Sequence, residues 1–228
     1  MKKRLGSLEC IYIIRDIYFK NTIERFIEQG EKCLFVGGGK GSSLYDYCKK
    51  GLKITFTDIS QDAINCVKKT PKFREFAIDF NCCSAYELPY TNSEFDIIIS
   101  TLNGSYFNEE AMSEFNRVLK QKGILIVSET TPEYIKYLNH IGRYDGKYIM
   151  TSVFKSKFPH PYVYTKEELM RLTARFQFDC LRYDVLSPKS LTSDEISEVI
   201  TGLAQFLDIN LNDTPVIYYA IFRKGELL

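Results

Sequence analysis

The 228-residue chain is predicted to fold as an α/β protein, a doubly wound, mostly parallel sheet with helices on both faces. Three observations carry that expectation. From residue 33 onward, short apolar or β-branched runs alternate with helical patterns, which is the signature of successive βαβ units. The run Phe95 to Ser100, Phe-Asp-Ile-Ile-Ile-Ser, is apolar enough to be buried on both sides, as central strands of a parallel sheet are. A glycine-rich turn, Val36-Gly37-Gly38-Gly39-Lys40-Gly41, stands between the first strand and the first helix of the alternation.

Taken in order, residues 1–31 form an N-terminal helical extension whose apolar stripe includes Tyr12, Ile13, Ile17, Tyr18, Ile23, Phe26 and Ile27. The first strand covers Cys33 to Val36, and a helix from about Ser42 to Lys50 stops at Gly51. A second strand spans Lys53 to Thr57, after which Ser60 caps a helix that reaches about Lys69, ahead of Pro71. The third strand is expected near Phe73 to Asp79 and the fourth at Phe95 to Ser100. A helix from about Asn108 to Lys120 follows, and Gly123 releases the chain into a fifth strand, Ile124 to Ser128. Residues 131–164, rich in Tyr, Pro, Gly and His, fall just beyond that strand, where a pocket's substrate side is usually built. Thr165 and Glu168 make a capping box for another helix, Phe178 to Leu186 reads as a strand, and Pro215 to Phe222 is the last. Between those two strands, residues 187–214 carry a second box, Thr192 to Glu195, and an amphipathic helix suited to covering the site or forming a homodimer. One domain accounts for residues 1–228.

Composition narrows the function. With 30 Lys plus Arg against 29 Asp plus Glu, no basic excess exists to track a phosphate backbone, so nucleic acid is not the expected partner. The longest uncharged stretch, Ile97 to Asn108, is 12 residues and contains Asn, Ser and Gly, too short and too polar for a membrane span. The basic start Met1-Lys2-Lys3-Arg4 lacks the apolar core of a signal peptide before Glu9, so a cytoplasmic location is expected. Seven cysteines without a CxxC pair read as reduced thiols and not as a disulfide framework or zinc site.

The glycine turn lets a ligand approach amide N–H groups at the positive end of a helix. Asp58, at the end of the second strand and 17 residues after Gly41, can accept hydrogen bonds from both hydroxyls of a ribose. Together they favour an adenosine-containing ligand. The turn lacks the GKS or GKT ending of a triphosphate loop, and Ser42 stands where a dinucleotide loop has its third glycine.

Further stretches fall in register with these: Ile54 to Ser60, Ser84 to Pro89, Phe95 to Ser100, and Glu114 to Gly123. With Leu34 to Gly41 they resemble, in order and spacing over residues 33–186, the class I S-adenosylmethionine-dependent methyltransferases. That resemblance implies a Rossmann-like, seven-stranded sheet and S-adenosyl-L-methionine as methyl donor, with S-adenosyl-L-homocysteine as product. It implies that Gly37, Gly38, Gly39 and Gly41 approach the methionine part and that Asp58 holds the ribose. Ile59, Ser84, Ala85 and Tyr86 would meet the adenine, and Ser100, Thr101 and Leu102 would floor the site near the sulfonium. Apart from the resemblance, Tyr12 and Tyr18 of the N-terminal helices could close the site, with core packing the alternative for Tyr18. The chain departs from the family where Phe35 replaces an acidic residue two before the first glycine and where Ser84 replaces an adenine-contacting Asp.

Methyl transfer from a sulfonium needs, above all, donor and acceptor held in line. A base is added when the acceptor must lose a proton. The only two histidines, His140 and His160, both fall in the 131–164 segment and are the candidate catalytic residues; each has a purely structural alternative, on a surface helix or in a Pro-flanked loop. Glu129 is a rival base or an anchor for an amine, and Tyr144, Tyr148, Tyr162 and Tyr164 could form an aromatic wall. The expected activity is methyl transfer to the N, O or C atom of a small-molecule acceptor. A peptide side chain as acceptor and a non-catalytic scaffold subunit are the alternatives.

Overall fold

The computed structural model describes residues 18, 22–101, 107–140, 148–150, 157–159, 163–187 and 215–226, with the backbone alone at 137–140, 148–150 and 157–159. Its strands in chain order are β1 (Lys32–Val36), β2 (Lys53–Asp58), β3 (Ile78–Cys82), β4 (Phe95–Thr101), β5 (Leu119–Thr130), β6 (Tyr148–Met150), β7 (Lys157–Pro159), β8 (Phe178–Leu186) and β9 (Ile217–Lys224). The helices are α1 (Leu44–Lys49), α2 (Gln61–Lys69), α3 (Glu109–Val118), α4 (Pro132–His140) and α5 (Lys166–Arg175).

Seven strands form one sheet in the order β3-β2-β1-β4-β5-β9-β8, and β6 pairs with β7 as a small hairpin. Strands β1 to β5 are parallel, while β9 runs antiparallel to both β5 and β8. The chain moves outward in one direction from β1 to β3 and then returns to the middle to start β4. A crevice therefore opens beyond the carboxyl ends of β1 and β4, where strand order reverses and ligands of such sheets bind.

Side chains alternate between the two faces along each central strand as the pleat requires, and both faces are buried. Cys33, Phe35, Ile54, Phe56, Ile97 and Ile99 pack on one face with Leu44, Tyr47, Ile64, Val67 and Tyr134 from α1, α2 and α4. Leu34, Val36, Ile98, Leu125 and Val127 pack on the other with Met112, Phe115, Leu169 and Leu172 from α3 and α5. Helices cover both faces, as the sequence pattern predicts.

Helix starts follow the expected caps. The Ser60 hydroxyl accepts from the Ala63 N–H at 3.3 Å, Asn108 accepts from Ala111 at 3.1 Å, and Thr165 with Glu168 forms the complete capping box. The C-terminus of α3 is held from outside its own chain segment. The buried Lys224 ammonium donates to the carbonyls of Asn116 at 2.5 Å and Leu119 at 2.8 Å, at the negative end of the helix dipole.

Two elements differ from the sequence expectation. The third strand starts at Ile78, not near Phe73, because Pro71–Phe73 forms a 3-10 turn that drops Phe73 into the core beneath α1. The fifth strand begins at Leu119, before Gly123: Leu119 already pairs with Phe95, the register then shifts, and Lys122 takes a positive φ of 62°. Tyr18, the described residue of the N-terminal stripe ahead of Thr22, is a core residue. Its ring stacks on Tyr219 at 4.5 Å and its hydroxyl donates to Asp184 at 2.5 Å. The proposed helix within 187–214 lies outside the described residues apart from Ser187.

Candidate functional site

The glycine turn leaves β1 at Val36, which pairs with Ser100 of β4, so the turn and the end of β4 are direct neighbours. Gly37, Gly39 and Gly41 all have positive φ, and the Gly37 and Gly38 N–H groups donate to the Thr57 carbonyl at 2.9 and 3.3 Å. Gly38 is the position the fold dictates most strictly. A Cβ there would lie 2.1 Å from the Phe56 ring, which is fully buried beneath it. Nothing lies within 4 Å of where a Gly39 Cβ would be, so backbone at that residue is open to approach.

Asp58 ends β2 and organises the turn. One carboxylate oxygen accepts from the Gly39 N–H at 2.8 Å and the other from the Ser60 N–H at 2.8 Å. Each oxygen has a second lone pair, so the partly exposed carboxylate retains capacity for two further donors. Beside it, Ile59 is 76% exposed, an uncommon position for a large apolar side chain flanked by polar residues.

The segment after β3 is tied to the same place: the Cys83 N–H donates to the Asp58 carbonyl at 3.2 Å. Ser84 makes a turn by accepting the Tyr86 N–H at 3.1 Å, Ala85 packs against the core, and Tyr86 stays 41% exposed with Asn108 3.5 Å from its hydroxyl. Ser100 and Thr101 are buried at the end of β4. The fold thus brings Gly37, Gly38, Gly39, Gly41, Asp58, Ile59, Ser84, Ala85, Tyr86, Ser100 and Thr101 to one edge of the sheet. Tyr12, Leu102 and His160 lie outside the described residues, and His140 is placed by its backbone alone, at the last position of α4.

A clasp that sequence reading names only as part of a longer run holds the next loop in place. Arg117 of α3 donates to Glu114 and to the carbonyls of Leu88 at 2.8 Å and Tyr90 at 2.6 Å, while Glu114 accepts the Leu88 N–H at 2.7 Å. Hydrogen bonding from Arg117 pulls the Glu114 carboxyl below its usual range, against the opposing effect of burial and with help from Leu88. A lowered folded pKa stabilises the fold above the ordinary carboxylate value and loses that contribution as pH falls through the folded value. Glu114→Gln is therefore expected to melt below the parent protein at about pH 7 and to converge with it only as pH falls through the lowered folded value of Glu114. Thermal denaturation across that range checks this, and a constant gap would contradict it.

Four further residues gather where β5 ends. Glu129, Phe107, Tyr164 and Tyr218 line a cavity of about 10 Å³ with Ser100, Val127 and Ser128. Sequence reading singles out Glu129 and Tyr164; Phe107 and Tyr218 carry no local signal, since only the register Glu129↔Tyr218 and the turn before α3 bring them there.

Comparison with known proteins agrees with this geometry. Residues 34–127 match the family model described as a methyltransferase domain. Demethylmenaquinone methyltransferase of Renibacterium salmoninarum is 32% identical over 102 residues, 44% of this chain and 41% of that protein, so the match spans under half of its length. In fold, a Pyrococcus horikoshii protein superimposes with a TM-score of 0.68 at 18% identity, covering 96% of this chain and 92% of that one. A structure titled as a SAM-dependent methyltransferase from Methanosarcina mazei superimposes at 0.63 and 17% identity, covering 90% and 97%. Among the described residues no helix is long and apolar enough to cross a membrane. The stretch that matches the methyltransferase domain, residues 34–127, takes in the glycine turn, Asp58 and most of β1 to β5, and the fold of the whole sheet is similar to that of these structures.

Proposed function

We propose that the protein is an S-adenosylmethionine-dependent methyltransferase acting on the N, O or C atom of a small-molecule acceptor. The observation that carries the reading is the Gly39–Asp58 hydrogen bond, which sets a glycine turn and an acidic strand end as one binding surface in the topological crevice. The donor fits these residues: space is open at Gly39, Asp58 has lone pairs to spare, and exposed Ile59 offers an apolar face for a flat base.

When bound, the donor supplies a sulfonium-activated methyl group. The chain's own part is positioning. Backbone at Gly37, Gly38, Gly39 and Gly41 takes the methionine portion, Asp58 the ribose, and Ile59 with Ser84, Ala85 and Tyr86 the adenine. Ser100, Thr101 and Leu102 form the floor, and Tyr12 closes the site. Holding reactants in near-attack geometry is worth up to about 7 to 11 kcal/mol. Where the acceptor must lose a proton, His140 and His160 are the proposed bases, adding about 10² to 10⁴ in rate.

The acceptor is assigned to residues 131–164, and the balanced charge of the chain favours a small molecule over a polyanion. The curated relative is named for a demethylmenaquinone substrate, but the shared stretch covers too little of either chain to carry that acceptor over. Calorimetric titration with S-adenosylhomocysteine tests the donor half. Saturable binding with a matching rise in melting temperature is the expected result, since ligand at 100 times its Kd stabilises by about 2.7 kcal/mol. Absence of binding at millimolar ligand would overturn it.

A further inference from the structure

The stretch from Cys83 to Glu94 joins β3 to β4 with neither strand nor helix, so its backbone groups must find partners outside a ladder. At one end the Cys83 N–H donates to the Asp58 carbonyl, and at the other the Ser93 and Glu94 N–H groups donate to the Arg117 and Val118 carbonyls at 2.9 and 2.8 Å. Between these ends the bonds converge on one side chain. A guanidinium carries five N–H donors in a rigid planar fork, and at Arg117 each has an oxygen. Two go to the Glu114 carboxylate at 2.8 and 2.7 Å, one to the Leu88 carbonyl at 2.8 Å, one to the Tyr90 carbonyl at 2.6 Å and one to the Asn92 side-chain oxygen at 3.2 Å. Glu114 in turn accepts the Leu88 N–H.

The residues assigned to the donor's base lie between two of these anchors. Cys83 is held on Asp58 and Leu88 on α3, which leaves only the four residues Ser84 to Glu87 to span them. That span is closed on itself: Ser84 accepts from the Tyr86 N–H through its hydroxyl and from the Glu87 N–H through its carbonyl at 3.3 Å. The start of α3 reaches the same turn, where the Asn108 side-chain amide stands 3.5 Å from the Tyr86 hydroxyl. Four large hydrophobic side chains are exposed among the described residues, and two of them, Ile59 and Tyr86, stand on the segments that the Cys83–Asp58 bond joins. An exposed side chain has little packing to fix it, so the place of Tyr86 is set by the backbone beneath it.

We infer that Arg117 is a positioning residue for the donor's base: by gripping Leu88 and Tyr90 it keeps Ser84, Ala85 and Tyr86 in their bound arrangement before the donor arrives. It acts through the loop and touches no ligand. Binding to a preformed surface avoids the ordering cost that a loose loop would add. The inference rests on the methyltransferase reading for the identity of the ligand, and it concerns the base half of that ligand alone.

Arg117→Lys is the informative variant. Lysine keeps a positive charge opposite Glu114 but has no planar fork, so it cannot bridge the Leu88 and Tyr90 carbonyls and Asn92 together. The full chain is titrated by calorimetry with three probes, well below the melting temperature of each variant. S-adenosylhomocysteine is the whole ligand, 5′-methylthioadenosine keeps base and ribose, and S-ribosylhomocysteine keeps ribose and homocysteine without the base. Arg117→Lys is expected to weaken the first two about tenfold, or about 1.4 kcal/mol, the order of fixing one loose backbone residue, and to leave the third unchanged. Arg175→Lys is the control. That side chain pairs with both oxygens of Glu109 at the exposed start of the same helix and holds no loop carbonyl, so all three affinities are expected to stay as they are. A merely structural role for Arg117 would lower the three affinities together, in step with the melting temperature. Equal weakening of the three probes, unchanged binding of the two that carry the base, or the same pattern in Arg175→Lys would overturn the inference. If the parent protein binds no S-adenosylhomocysteine, the donor reading falls and this inference with it, whereas binding by the parent with an unaltered pattern in Arg117→Lys strikes the inference alone.

Discussion

Gly38→Ala is expected to destabilise the protein by about 3 kcal/mol, at the upper end of ordinary overpacking costs, and to abolish tight S-adenosylhomocysteine binding. The added Cβ would sit 2.1 Å from one Phe56 ring carbon and 2.4 Å from the next. Phe56 cannot turn aside, because it is fully buried between Phe35 at 5.9 Å and Phe80 at 5.8 Å. The turn must lift instead, which breaks the Gly37 and Gly38 bonds to Thr57 and carries the Gly39 N–H away from Asp58. Gly39→Ala is the informative comparison. There φ is +53° but the space is empty, so only the left-handed backbone penalty of about 1 to 2 kcal/mol applies. Denaturant unfolding of both variants, with S-adenosylhomocysteine calorimetry, checks the order. If Gly38→Ala unfolds no more easily than Gly39→Ala, contact with Phe56 does not govern the turn.

That contrast shows where sequence reasoning stopped. A glycine-rich turn between strand and helix is visible in one dimension, and so is Asp58 at the next strand end, because both are set by local order. Which glycine is obligatory for steric reasons depends on a ring brought up by β2, and no spacing rule contains it. Strand identity was legible where burial on both faces left a continuous apolar run, as in β4, and slipped where a proline turn borrowed an apolar residue, as at Phe73. The gathering of Gly37, Gly39, Asp58 and Ser100 at one sheet edge was readable because they follow consecutive strands. The cavity around Glu129 was readable only in part, because antiparallel β9 inserts Tyr218 beside β5 from near the end of the chain. Arg117 illustrates a third case: its place in a run of residues is plain, but its grip on the Leu88 and Tyr90 carbonyls is a property of the folded loop.

Asp58→Ala is expected to weaken S-adenosylhomocysteine binding about 100-fold, since two hydrogen bonds to a charged acceptor are together worth about 3 kcal/mol or more. The loss has two separable sources. Asp58 binds the Gly39 and Ser60 N–H groups, so its removal loosens the turn whether or not a ribose is present. It is also the proposed partner of the ribose hydroxyls, and only that second role depends on the ligand. A double-mutant cycle separates them, with the protein variant on one side and the 2′,3′-dideoxy analogue of S-adenosylhomocysteine on the other. If Asp58 holds the ribose, the parent protein discriminates strongly against the analogue, Asp58→Ala barely does, and the coupling energy is large. If Asp58 serves the turn alone, both ligands weaken by the same factor in the variant and the coupling is near zero. Asp58→Asn adds an intermediate point: one carbonyl oxygen remains for a backbone N–H, the charge is gone, and about a tenfold loss with reduced coupling is expected. A coupling near zero in the cycle would remove Asp58 from the ribose site while leaving its structural role to the turn intact.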